Sequence, residues 1–224
     1  MNWIDGSGAG GCTGGNIIID IVGECSISYN ANTGAATINL PEQNVTITGS
    51  GTLNVYGANG ADGQADGENG QDGAAGIQAN DVVIDMTGTL NVYGGDGGDG
   101  AAGLAGTNGS NADDGNGESG GSGTDGGNGG NGGNGGSAIV AEKLTVVDKP
   151  KVQASLRAYS GAGGNGGNGG NGGSGGNGGK GYSPYNFFHA TPGNGGKGGN
   201  GGNGGNARRI QQAERQKRQH CPCR

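Results

Sequence analysis

Residues 163–181 read GGNGGNGGNGGSGGNGGKG and residues 193–206 read GNGGKGGNGGNGGN, with one aromatic segment between them, Tyr182 to Pro192, YSPYNFFHATP. A strict period of three with two glycines per triplet fits neither a helix of 3.6 residues per turn nor a strand of period two. It fits a left-handed three-fold helix of the polyproline-II type, which places every third residue on the same edge of a rod. Such a rod makes no internal backbone hydrogen bonds, so a single run would be a solvated linker. Several together behave differently. Glycine has no Cβ, so main chains approach closely along bare edges and their N–H and C=O groups pair between rods. The reading is a bundle of polyglycine rods, with Asn, Ser and Lys columns facing water and the aromatic segment as the turn at one end.

Composition agrees with this frame. Of 224 residues 62 are glycine and only 29% are hydrophobic, too few for an ordinary apolar core. A collagen triple helix also repeats glycine in threes but depends on abundant proline, and this chain has five prolines, none at a triplet position.

Outward from the glycine runs, the strongest internal repeat is TLNVYG, at 52–57 and again at 89–94. NVTITGSG precedes the first copy and DVVIDMTG the second. A degenerate third copy, KLTVVDKPKVQASLRAYSG, places Leu156, Ala158 and Tyr159 where the others have Leu, Val and Tyr. Each copy enters glycine triplets, at 57–76, 94–136 and 161–206, and strands resume at Ile77 and Ala138. The unit is strand, turn, strand, glycine excursion, return. To return, each excursion must run out along one rod and back along another.

The triplet phase supports hairpins: it slips around Gln64 to Asp66, is lost around Thr107 to Gly117, and is interrupted by Tyr182 to Pro192. The expected fold is mostly irregular and β, with about six polyglycine-II (PPII-type) helices as three hairpins on a small β-solenoid-like base and little or no α-helix. The longest arm, about 19 residues, would reach roughly 60 Å. Tyr56, Tyr93 and Tyr159 close their strands at one place and should stack as a ladder. Triplets with a single glycine in the first excursion (GAN, GAD, GEN) put it at the periphery of the bundle, and the Gly-Gly-X triplets of the third put that one nearer the centre.

Residues 1–56 form a β-rich N-terminal segment, 57–206 the strand-pair and polyglycine repeat domain, and 207–224 a basic tail. In the first segment Ile17–Val22, Ser26–Tyr29, Ala36–Leu40 and Asn44–Thr48 read as strands, punctuated by Asn30–Gly34 and Pro41–Gln43. Cys12 and Cys25 flank the first strand and either form a disulfide or stand as two buried thiols. The tail, ARRIQQAERQKRQHCPCR, has almost no apolar face and reads as solvated. His220, Cys221 and Cys223 supply three metal-ligand types without a fourth.

Residues 1–206 carry 18 acidic against 6 basic side chains, a net of −12, while 207–224 carry 6 basic against 1 acidic, a net of +5. The acidic body argues against a nucleic-acid partner. No apolar run is long enough to span a bilayer. The start, MNWIDGSGAGG, lacks a basic n-region and an apolar h-region, so export would proceed as part of a longer secreted chain or by assembly or lysis.

Across about residues 44–206, the pairing of TLNVYG strands with GGNGGNGG runs resembles the glycine-rich repeats of large surface proteins of Gram-positive gut bacteria. Polyglycine runs joined by aromatic loops resemble the tail-tip adhesins of T-even-type bacteriophages, whose tip loops bind host receptors. The GGNGG density is also similar to that of glycine-rich mycobacterial surface proteins. These resemblances imply an extracellular, cell-surface or virion protein.

No catalytic constellation accompanies His189 or His220, so an enzyme is not expected, nor a cofactor. Gly94 to Ala102, GGDGGDGAA, matches the glycines and Asp99 of the calcium-binding nonapeptide. Asp113, Asp114 and Glu118 form a second oxygen-rich group. Each either holds calcium or is a solvated acidic edge.

The aromatic segment is more informative. Tyr182, Tyr185, Phe187 and Phe188, with Asn186 and His189, form either a self-packed cap on a rod pair or a receptor-binding tip for carbohydrate or protein. Two function classes follow: an adhesin or surface module that presents variable loops on a rigid scaffold, or a structural spacer, fibre or ice-binding protein.

Overall fold

The computed structural model describes residues 4–5, 15–29, 33–111, 119–147, 155–168, 170–174, 180–181, 188–189 and 197–206. Among these there is no helix, and so none long and apolar enough to cross a membrane. The strands are β1 (Ile4–Asp5), β2 (Asn16–Ile21), β3 (Glu24–Ser28), β4 (Ile38–Leu40), β5 (Asn44–Gly49), β6 (Thr52–Tyr56), β7 (Ile77–Met86), β8 (Thr89–Tyr93), β9 (Ile139–Val146), β10 (Ser155–Tyr159), β11 (Lys180–Gly181) and β12 (Phe188–His189). All pair in parallel except β11 with β12, which are antiparallel.

The parallel pairs stack successive turns of the chain directly on one another. One face runs β3-β6-β8-β10 and a second β2-β5-β7-β9. A third is formed by β1, β4 and the first residues of β7 and β9, with Ile4, Ile38, Ile77 and Ile139 in one row. β7 serves two faces because its ladder breaks at Asn80. The Asn80 N–H donates to the Gln43 carbonyl and its carboxamide to Asn44 Oδ1, so the corner is held by bonds that continue along the stack.

The apolar interior follows from the repeat. Alternation within TLNVY turns Leu and Val inward, and in-register stacking puts like on like: Cys25, Leu53, Leu90 and Leu156 in one row, Ile27, Val55, Val92 and Ala158 in the next. The opposite face supplies Ile17, Val45, Val82 and Leu144, then Ile19, Ile47, Ile84 and Val146. The members from β5 to β8 are fully buried; those of β2 and β9, at the ends of the stack, are partly so. Each buried Leu, Ile or Val contributes about 1.5–3 kcal/mol, so this narrow column sustains a base that the overall composition would not.

The strands expected in the N-terminal segment are present with shifted ends. The first stops at Ile21, because Val22 is 83% exposed at a corner completed by Gly23 with φ +81°. The second starts at Glu24 and ends at Ser28, two residues earlier than alternation alone implied at its start. Sheet pairing runs without a break across residue 56, β5 with β7 and β6 with β8.

From the end of β6, β8 and β10 the chain leaves the base as extended glycine-rich arms. Arm 1 (57–63), arm 3 (94–109) and arm 5 (161–174, with residue 169 outside the described set) run out; arm 2 (68–76), arm 4 (121–136) and arm 6 (197–206) run back. The strand ladder passes into the arms directly: Gly57 N–H donates to Tyr93 O and Gly94 N–H to Tyr159 O, both at 2.8 Å. The three tyrosines stack as expected, with ring centroids 4.9 Å and 5.1 Å apart and planes within 10°.

The arms lie in two layers, outgoing and returning. Within a layer the first glycine of a triplet donates to the third residue of the next arm, as in Gly60 to Asp96 O and Gly100 to Asn165 O. Between layers, one line of bonds crosses all six described arms: Gly205 N–H to Gly164 O, Gly164 to Gly133, Gly133 to Gly98, Gly98 to Gln71, and Gln71 to Ala61, each 2.7–2.9 Å. This order corrects one expectation. The first hairpin is at an edge, but the centre is the second hairpin, and the third is the opposite edge. The arms inherit the order of the strands they leave, and the middle strand pair feeds arms 3 and 4.

Candidate functional site

The arms hold turns away from the base, so the arms are the platform and the turns the candidate site. How the platform is held depends on the third residue of each triplet. Where an arm has neighbours on both sides, two N–H groups per triplet are bonded to neighbouring main chains, and the third belongs to the Asn, Asp or other residue at that position. It donates to the side-chain oxygen of the Asn or Asp at the matching place on the previous arm of the layer. Asp99 N–H bonds Asp62 Oδ1 at 2.7 Å and Asn165 N–H bonds Asp99 Oδ1 at 2.6 Å. In the other layer Asn131 N–H bonds Asn69 Oδ1 at 2.7 Å and Asn203 N–H bonds Asn131 Oδ1 at 2.8 Å. Asn59 to Asp96 to Ala162 and Asp72 to Asn134 to Asn206 repeat the pattern.

The Asn and Asp columns were read from the sequence as solvated. They are exposed, and they also satisfy the one main-chain donor per triplet that bare glycine edges leave over. The signal was present in the choice of residue: Asn and Asp are the short side chains that put a carbonyl oxygen within reach of a neighbouring backbone N–H, and Ser or Lys in the same place cannot supply it equally. Replacing Asn131 by Ala removes the acceptor of Asn203 N–H and should cost about 1 kcal/mol, with faster exchange of the Asn203 amide; Asn131→Asp should retain the protection.

Asp99, read as either a calcium ligand or a solvated acidic edge, takes part in this ladder. Its Oδ1 accepts from the Asn165 N–H and carboxamide, and its own N–H is bonded to Asp62. Asp113, Asp114 and Glu118 lie outside the described residues. Among the described residues no group of three or more His, Cys, Asp or Glu could hold a metal ion.

Of the turns, the first is described. Asp66 and Gly67 both take positive φ, 52° and 76°, which reverses the chain; Glu68 N–H donates to Ala65 O at 2.8 Å, and the Glu68 carboxylate accepts from Gln64 N–H at 2.9 Å. Residues 112–118 of the second turn lie outside the described residues; at its foot Gly121 N–H donates to Ser110 O at 2.8 Å. Of the aromatic tip, Tyr182, Tyr185, Asn186 and Phe187 lie outside the described residues. Phe188 and His189 form β12, antiparallel to β11, with Lys180 opposite His189 and Gly181 opposite Phe188. Cys25 carries a free thiol packed against the core, and Cys12, His220, Cys221 and Cys223 lie outside the described residues.

Sequence reasoning missed a ledge. Arms 1 and 2 turn back early, and arm 3 runs past them. At the triplet position that faces arm 1, arm 3 has Gly95 and Gly98 where arm 1 lies alongside, then Ala101, Leu104 and Thr107 where it does not, with Leu104 59% exposed. No family model, no curated protein and no solved structure matches this chain.

Proposed function

We propose that the chain is a non-enzymatic surface module, outside a cell or on a virion, in which a β-solenoid base carries a polyglycine-II bundle that holds three unlike turns toward a carbohydrate or protein receptor. The observation that supports it most is the hydrogen-bond line through all six described arms, made without any side chain of the turns. A scaffold satisfied by main chain and Asn or Asp alone leaves the turns free to vary, which is the usual division between a rigid support and a binding loop. At roughly 3.1 Å per residue arm 1 reaches about 20 Å from the base and arm 3 about 50 Å, so the arms end at different heights. The third turn carries the aromatic segment, whose rigid rings offer large contact area at low entropic cost.

The test is cell and glycan binding by the full chain and by the Phe187→Ala/Phe188→Ala variant. Binding should fall by at least about tenfold, equivalent to about 1.4 kcal/mol, with melting unchanged. Undiminished binding by a well-folded variant would overturn the assignment of the tip. If replacing all three turns by Gly-Asn also leaves binding intact, the presentation role fails and a hydrated spacer remains.

A further inference from the structure

Along the arms, glycine follows a spatial rule. The second position of a triplet is glycine where the preceding arm of its layer lies alongside: a Cβ on Gly98 would overlap the Ala61 carbonyl, on Gly133 that of Gln71, and on Gly202 that of Gly130. The first position is glycine where the next arm approaches: a Cβ on Gly97 would overlap Gly133 O, on Gly129 Gly167 O, and on Gly163 Gly205 O. Where a neighbour ends, side chains return, as at Ala101, Leu104 and Thr107. Gly127 departs from the rule singly, its nearest atom being Leu104 N at 3.2 Å, and one whole edge departs from it. On arm 6 the first positions are Gly198, Gly201 and Gly204, and a Cβ there would have a single neighbouring atom each, 3.6–3.7 Å away.

Two independent features mark the same edge. Its glycine donors lack partners: the N–H groups of Gly163, Gly166, Gly198, Gly201 and Gly204 donate to nothing among the described residues, whereas the matching Gly60, Gly73, Gly97, Gly100, Gly129 and Gly132 of arms 1 to 4 each donate to a third-position carbonyl. The carboxamides of Asn168, Asn200 and Asn203 stand where their counterparts on arms 3 and 4 accept a neighbour's N–H. Charge is also distributed unevenly. Arms 1 and 2 with their turn carry Asp62, Asp66, Glu68 and Asp72, whereas the described residues of arms 5 and 6 carry Lys197 alone. In a chain of net charge −7 this edge brings no described carboxylate against its counterpart when two copies meet.

We propose that the edge formed by arms 5 and 6 is an interface on which a second copy of this chain docks by the same edge. Head-to-tail docking is closed. Arm 1 of an incoming copy would have to bring second-position glycines against arm 5, and it has Ala58 and Ala61 there, with Glu68, Gln71 and Ala74 in the equivalent place on arm 2. The open edge has both donors, the glycine N–H groups, and acceptors, the Asn oxygens, in every triplet, so an inverted copy of itself complements it. The product is a closed two-fold dimer rather than a filament.

Sedimentation of the full chain from the low to the high micromolar range tests this, beside the variant Gly198→Ala/Gly201→Ala/Gly204→Ala. The added methyl groups have room in a single copy and none against a second, so the variant should melt like the parent yet dimerise at least about tenfold more weakly. A parent chain that stays monomeric, or a variant that dimerises equally well, overturns the proposal. Amide exchange of the parent gives a readout independent of the variant: Gly198, Gly201 and Gly204 should gain protection with concentration, and uniformly fast exchange also overturns it. A monomeric parent that binds a free Gly-Gly-Asn peptide would assign the edge to another polypeptide and refute the dimer.

Discussion

Gly133→Ala is expected to lower the melting temperature by about 10 °C, while Gly201→Ala leaves it within about 2 °C. Both replace one glycine by alanine in a Gly-Gly-Asn triplet, so propensity and composition are the same. They differ in what the methyl group meets. At Gly133 it would overlap the carbonyl oxygen and carbon of Gln71, main-chain atoms that cannot rotate away, and Gln71 is itself bonded to Gly98 and Ala61. Relief requires moving arm 2 or arm 4 and loses bonds in the line that crosses the bundle. Overpacking of this kind and the lost hydrogen bonds together amount to about 3 kcal/mol. At Gly201 the nearest atom is Gly167 O at 3.6 Å, an ordinary contact, and the reduced freedom of the unfolded chain offsets any small strain. Thermal melts followed by circular dichroism check the pair. Equal melting temperatures would mean that the arms are not packed as described.

Leu90→Ala tests the other half of the molecule. Leu90 is fully buried between Leu53 and Leu156 in the row that β6, β8 and β10 build together. Truncation leaves a cavity in a narrow core of stacked side-chain rows and should cost about 3 kcal/mol. Its signature differs from that of Gly133→Ala. Arms 1, 3 and 5 are rooted in β6, β8 and β10, so weakening the base should speed amide exchange in strands and arms together. Gly133→Ala, by contrast, should open arms 2 to 5 while Leu53, Ile84 and Val92 keep their protection. Native-state hydrogen exchange distinguishes the two; identical exchange patterns would show that base and arms unfold as one unit.

Much of this arrangement was legible in the residues. The period of three, with its slip near Gln64, located the first reversal, and the two copies of TLNVYG placed Leu53 on Leu90 and Tyr56 on Tyr93. The degenerate third copy aligned as read, Leu156 with Leu90 and Tyr159 with Tyr93. What could not be read was long-range. The double duty of β7 depends on a corner at Asn80 whose partners, Gln43 and Asn44, lie on the previous turn of the chain. The central place of the second hairpin follows from strand order and not from glycine density, which is why counting glycines put the third hairpin too far inward. Asn131 and Asp99 looked like solvated columns because a local pattern does not reveal which neighbouring N–H lacks a partner. The aromatic tip was legible as a cluster of residue types, and its assignment rests on that chemistry.

The unbroken passage of the ladder from strand into arm, Gly57 to Tyr93 and Gly94 to Tyr159, limits how such a molecule can change in length during evolution. An insertion keeps every partner only if it adds whole triplets to both limbs of a hairpin. Tip height is therefore quantised, in notches of about 9 Å at roughly 3.1 Å per residue. A single-residue insertion in one limb would throw all the following triplets out of phase.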